Sequence, residues 1–206
     1  MEQLPLDEST WTGGLKPADY FQSLANYKHL VLSLYRDASV ADEERERVAA
    51  ALPAPVDDLR LVVLTEDWCG DSATTLPYIA RLGEALGVDM RVFRQSRNAL
   101  LKQWYVDHGT DHIPVVSVVR GTDDGWQEVL RWVERPASAQ GRVEEWIGAQ
   151  PRFTELRARK DEDPAAAKEY FGLYARLLRE MASWYRNGLW TEIADEFSEG
   201  LVKNRR

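Results

Sequence analysis

Cys69, the single cysteine among 206 residues, lies in Leu64-Thr65-Glu66-Asp67-Trp68-Cys69-Gly70-Asp71-Ser72, where an apolar run gives way to a helical pattern. A sulfur at a strand-to-helix junction sits beside the unpaired amide N–H groups and the positive end of the helix, which favour thiolate over thiol. Thiolate is the form that attacks a disulfide, so the chemistry open to this residue is thiol–disulfide exchange. With no second cysteine in the chain, any disulfide it forms is with another molecule, and an intramolecular dithiol cycle is excluded. The surrounding charges pull the other way. At roughly 6 Å a carboxylate such as Asp71 opposes a thiolate by about 0.7 kcal/mol in water-like surroundings and about 3 kcal/mol at an effective dielectric near 20. The helix terminus offers only about 0.3–2 kcal/mol in favour. Glu66 and Asp67 add to the unfavourable side, so these local charges do not by themselves activate Cys69.

The elements that must position this residue follow from the hydrophobic pattern. Residues 61–64 are a short continuous apolar run, as in a strand covered on both faces, and contain no buried acid. Residues 72–86 read as a helix closed by Gly87, with Pro77 as a kink inside it. Residues 90–93 read as a second strand, and 98–108 as a helix stopped by Gly109. Residues 114–119 and 126–132 are two β-rich runs joined by Gly121-Thr122-Asp123-Asp124-Gly125, an antiparallel hairpin. Ser138 is expected to cap a helix that buries Val143, Trp146 and Ile147. From residue 59 to 149 the order is therefore β-α-β-α-β-β-α, with a sheet that includes parallel strands.

Helical patterns flank this core. Residues 17–35 place Tyr20, Leu24, Tyr27, Val31 and Leu34 at alternating steps of four and three, which predicts one amphipathic helix with Pro17 in its first turn. Residues 42–52 predict a more exposed helix ending before Pro53-Ala54-Pro55. Beyond the core, residues 153–160 predict a short helix, and 165–185 a long one carrying Tyr170, Tyr174, Leu177, Met181 and Trp184 on one face. Asn187-Gly188 stops it, and Trp190, Ile193, Phe197 and Leu201 mark a last helix. These stripes are too apolar to stand free and are expected to pack on the core or on a second copy of the chain. The chain thus divides into an N-terminal helical extension (1–58), a core (59–150) and a C-terminal helical extension (151–206).

Composition narrows the function. A net charge of −8 argues against nucleic acid as a partner, since phosphate binding depends on clustered Lys and Arg. The only dense basic group is Lys203-Asn204-Arg205-Arg206, read as a solvated terminus. Three separated histidines (His29, His108, His112) and one cysteine show no metal-ligand spacing, so neither a metal nor a cofactor is expected. No stretch approaches the ~20 apolar residues that span a bilayer. The opening residues lack the basic start and apolar run of a secretory signal, which makes a cytoplasmic location the expectation.

Trp68-Cys69-Gly70-Asp71-Ser72 resembles the Trp-Cys-Gly-Pro-Cys active site of thioredoxins, with Asp71 in place of proline and Ser72 in place of the second cysteine. It is most similar to a bacterial group of thioredoxin-like proteins that carry Trp-Cys-Gly-Asp-Ser or Trp-Cys-Gly-Asp-Cys between helical extensions. Ile113-Pro114, at the start of the third core strand, is a second match. The resemblance implies an α/β thioredoxin-like fold whose β-α-β-α-β-β-α core carries N-terminal and C-terminal helical extensions. It also implies a cis Ile113–Pro114 bond facing the sulfur, with backbone groups of Ile113 and Pro114 offered to a substrate. Cys69 and Ser72 become the candidate catalytic residues, and Trp68, Gly70, Asp71, Ile113 and Pro114 the candidate substrate-binding ones.

The departures from the family pattern direct the chemistry. In a dithiol thioredoxin the second cysteine releases the product; Ser72 has no such redox chemistry, though it can hydrogen-bond the Cys69 sulfur. The expected activity is monothiol exchange, in which the partner is a thiol- or disulfide-bearing protein or a low-molecular-weight thiol that resolves the mixed disulfide. The thioredoxin strand aspartate used for proton transfer has no counterpart in residues 61–64. His112 is a candidate base or cation, its plainer reading being a loop histidine facing water. Arg94 and Arg135 follow strands and could face the active end of the sheet, their plainer reading being surface positions. A competing function is a non-catalytic binding or assembly module on the same scaffold; a homodimer through the helical extensions is a further expected partner under either reading. A third, a small-thiol transferase resembling glutathione transferases, is disfavoured because those begin with the core, whereas 58 residues precede it here.

Overall fold

The computed structural model describes residues 3–122 and 125–204. Asp123 and Asp124 of the expected hairpin turn, and Arg205 and Arg206 of the basic terminus, lie outside the described residues, as do Met1 and Glu2. A five-stranded sheet in the order β1-β5-β4-β2-β3 forms the centre. The apolar run becomes β2 (Leu59–Thr65), which α5 (Gly70–Leu86) connects to the parallel strand β3 (Asp89–Arg94). On the other side of β2 runs β4 (Val115–Thr122), antiparallel and in register at Leu64↔Val115, followed by β5 (Gly125–Val133). This register brings the end of β2 and the start of β4 to one edge of the sheet. Two loops, the one carrying Cys69 and the one carrying Pro114, therefore lie side by side.

Alternation along β2 explains why its sequence is apolar throughout. Leu61 and Val63 point into a large core shared with most of the helices, while Val62 and Leu64 point into a smaller one with Leu101 and Tyr105 of α6 (Ala99–Asp107). The smaller core also takes Trp11 of α1 (Glu8–Gly13) and Leu4 of β1 (Gln3–Leu4), which pairs with β5. Neither β1 nor α1 has a sequence signal: two residues show no period, and six are too few for a helical stripe.

The expected helix over 17–35 is instead two, α2 (Pro17–Ser23) and α3 (Lys28–Asp37). The periodicity runs through the break, but tertiary bonds do not. The Ala25 N–H is taken by the Asp67 carboxylate at 3.2 Å, and Tyr27 adopts a left-handed φ of 58°. Ser138 is not a cap: Pro136 holds that position for α7 (Ala137–Gly148), and the Ser138 hydroxyl donates to Glu192 instead. The remaining helices, α4 (Asp42–Ala51), α8 (Phe153–Arg159), α9 (Pro164–Trp184) and α10 (Trp190–Asn204), lie where the sequence pattern places them, the last two along their apolar stripes. Gly188, at a φ of 113°, turns α9 into α10. α5 continues as a helix through Pro77.

The extensions pack on the core of their own chain. Tyr20, Leu34, Phe197 and Leu201 share the large core with the strands. Glu44 of α4 joins the two extensions to α5: its carboxylate accepts from the Tyr78 hydroxyl at 2.8 Å, the Thr191 hydroxyl at 2.6 Å and the Ala41 N–H at 3.0 Å. Replacing it by alanine leaves the buried Tyr78 hydroxyl without this acceptor. Glu44→Ala is expected to lower stability by about 2 kcal/mol in denaturant unfolding. A loss below ~0.5 kcal/mol would show that this junction does not join the extensions.

Candidate functional site

Cys69 occupies the N-cap of α5 with an extended backbone, and its sulfur accepts a hydrogen bond from the Ser72 N–H at 3.5 Å. The helix starts here because a side-chain acceptor at the cap satisfies one of its unpaired donors. Across the site the Ile113–Pro114 peptide bond is cis, and the Cys69 Sγ–H points at the Ile113 carbonyl, 3.3 Å away. Ser72 is buried in the first turn of α5, and its hydroxyl bonds the Thr65 hydroxyl of β2 at 2.5 Å. Cys69, Gly70, Asp71, Ser72, Ile113 and Pro114 thus come together at one sheet edge. Trp68 precedes them with 58% of its surface exposed.

The three acids of the motif are all engaged. Asp71 receives two bonds of 2.6 Å from Arg135. Asp67 is bonded at 2.6 Å by Arg94, which also reaches the Ser23 hydroxyl. Glu66 accepts the Ser96 N–H at 2.6 Å. Arg94 and Arg135 are therefore site residues rather than surface ones. His112 takes its plainer reading, exposed and paired with Asp111 at 2.7 Å.

The preference for thiolate that a helix terminus confers does not prevail here. Cys69 is only 6% exposed, and burial, followed by the negative charge of Asp71, pushes its thiol up to about 11. Hydrogen bonds from Ser72 and the Asp71 backbone act in the opposite direction and lose. A helix terminus contributes only about 0.3–2 kcal/mol, less than the cost of stripping water from a charged sulfur. The cover comes from both extensions. Tyr27, in the turn between α2 and α3, packs beside Tyr174 of α9, their rings 6.4 Å apart, and Tyr174 with Leu178 lies directly on Gly70. A cleft beside the sulfur, lined by Tyr20, Leu24, Tyr27, Asp67, Cys69 and Ser72 among others, has a volume of about 10 Å³. That is room for at most about one water molecule.

Tyr27 and Tyr174 carried a sequence signal only as members of helical stripes. Nothing in those stripes showed that the two rings pack together beside the motif. Among the described residues no cluster of His, Cys, Asp and Glu could hold a metal ion, and no helix is long and apolar enough to cross a membrane.

The fold and this edge define a thioredoxin-like protein with helical extensions. A family model described as thioredoxin matches residues 14–147, about two thirds of the sequence, and the chain belongs to that family. The crystal structure of a protein of unknown function from Pseudomonas aeruginosa is similar with a TM-score of 0.59 at 15% identity, covering 98% of this chain and 99% of that one. This likeness concerns the fold and spans both extensions. An HIV epitope-scaffold is similar at a TM-score of 0.47 and 16% identity, over 84% of this chain and 91% of its own. No curated protein matches.

Proposed function

We propose that the protein is a thiol–disulfide oxidoreductase that acts by monothiol exchange with Cys69 as its nucleophile. The observation that carries this reading is the Cys69 sulfur at the start of α5, 3.3 Å from the Ile113 carbonyl at a cis proline. The Cys69 thiolate attacks one sulfur of a substrate disulfide; a Cys69–substrate S–S bond forms, the original S–S bond breaks, and the second sulfur leaves as thiolate and takes up a proton. An external thiolate then attacks the substrate sulfur, forming a new disulfide and returning Cys69 as thiolate. Two disulfide exchanges leave the protein unchanged, so no net oxidant is consumed. Ser72 supplies its N–H to the sulfur and cannot resolve the intermediate. The mixed disulfide is therefore expected to persist until a protein or small-molecule thiol arrives.

Mass spectrometry after incubation with a small neutral disulfide at pH 9 tests this. One adduct per native chain is expected, absent in Cys69→Ser and removed by added thiol with release of free Cys69. Native protein that stays unlabelled, while the urea-unfolded chain labels readily, would reject the reading. The second reading, a binding module, is favoured by the covered thiol next to the exposed Trp68 ring. Under it, Cys69→Ser retains partner binding and Trp68→Ala loses it.

A further inference from the structure

Arg135 reaches Asp71 from the turn that follows β5, and that turn is tied to the proline loop. Glu134 has a φ of 66°, in the left-handed region that non-glycine residues seldom occupy, and its N–H donates to the Pro114 carbonyl at 2.8 Å. The Arg135 N–H closes back on the Val133 carbonyl at 2.9 Å. The guanidinium then grips both oxygens of Asp71 at 2.6 Å each, a match of planar fork to carboxylate, and also bonds Glu134 and Gln140. Asp71 and Arg135 have only 12% and 13% of their side chains exposed. A pair this dry is a weak stabiliser, because desolvation offsets most of the attraction. Its placement next to the only thiol of the chain points to another use.

We infer that Arg135 is a positioning residue for Cys69: by clamping the Asp71 carboxylate toward the β5 turn, it sets how much of that negative charge reaches the sulfur. The inference deepens the exchange reading and rests on Cys69 being the working sulfur. Other groups near the sulfur leave this pair in control. Tyr20 of α2 and Tyr174 of α9 are held well above the ordinary phenol range by burial and stay neutral while the thiol titrates, and burial also raises Tyr27 of the α2–α3 turn. Tyr185, which faces Asp71 and Arg135, is raised for the same reason. Glu66 and Asp67 are held by Ser96 and Arg94. Loss of Arg135 leaves the Asp71 carboxylate beside the sulfur without the cation that grips both its oxygens.

The test is the rate of Cys69 alkylation by iodoacetamide, a neutral reagent, at pH 8, 9 and 10 in the full chain. Arg135→Met is expected to slow alkylation and Asp71→Asn to speed it. Each change is expected to be between about threefold and about a hundredfold, the range for one unit charge a few ångströms away between water-like and protein-like screening. Asp71→Asn/Arg135→Met should react faster than Arg135→Met alone, and Arg135→Lys should lie between wild type and Arg135→Met. A merely structural role has the opposite sign, because loosening the turn solvates the thiol and speeds alkylation of Arg135→Met. Rates in Arg135→Met equal to or above wild type would overturn the inference. If that variant does not fold, Asp71→Asn decides: an unchanged rate would overturn the inference just as well. Alkylation does not depend on exchange, so a protein that passes this test and forms no mixed disulfide loses the exchange reading only.

Discussion

Mixed-disulfide formation at Cys69 will accelerate about tenfold per pH unit from pH 7 to pH 10, about a thousandfold in all, and level off only near the thiol midpoint of about 11. Four pH units below that midpoint, about one chain in ten thousand carries thiolate at pH 7. A free cysteine, at ~8.5, carries a few per cent. Thiolate nucleophilicity rises with basicity, with a Brønsted slope of about 0.4–0.5, and recovers only part of the deficit. Native Cys69 should therefore react about 20- to 30-fold more slowly than an unstructured peptide thiol at pH 7, and the two profiles should cross near pH 10. Limited access lowers the whole curve but leaves its slope unchanged. A plateau below pH 9 in stopped-flow exchange would show a thiol of ordinary acidity and remove the burial argument. The same proton couples to folding. The folded-state midpoint lies above the unfolded one, so this contribution to stability is complete below about pH 9 and is lost as pH rises through about 11.

The meeting of Cys69 and Pro114 at this edge could be read from sequence because its elements are local. The apolar residues 61–64, the switch to a helical period after Ser72 and the proline opening β4 each signal themselves within a few positions, and the topology brings them together. What decides the reactivity of Cys69 is not local. Asp71 and Arg135 are separated by 64 positions, and Asp67 and Arg94 by 27, so the sequence offered both arginines near the active end of the sheet but not their pairing with the acids. Tyr174 lies more than 100 residues from Cys69. Its stripe on α9 could be read, but the surface that the stripe covers could not. The split between α2 and α3 failed for a related reason: a bond from the motif loop to Ala25 outranks a continuous four-three period.

Gly70→Ala will destabilise the protein by about 3 kcal/mol, although alanine is the better helix former at an exposed helical position. Gly70 needs no unusual backbone angle; it needs the absence of a side chain. A Cβ built there would run into the Tyr174 hydroxyl and come within 2.6 Å of Leu178 Cδ2. Neither neighbour can retreat easily, because Tyr174 stacks on Tyr170 at 5.8 Å and Leu178 is buried in the large core. The strain must then be relieved by moving α9 away from the motif, which is also the movement that wets the sulfur. Gly70→Ala is accordingly expected to melt earlier and to alkylate faster at pH 8 than wild type. Adding Tyr174→Ala, which removes the colliding ring, should cost less stability in the Gly70→Ala background than in wild type, a coupling of the kind shown by residues in contact. A Gly70→Ala variant at least as stable as wild type would mean that α9 does not press on this turn. The thiol would then owe its burial to the α2–α3 side alone. If the coupling is found, the reactivity of a motif at the start of α5 is set by a helix that follows the core, and the C-terminal extension is part of the site.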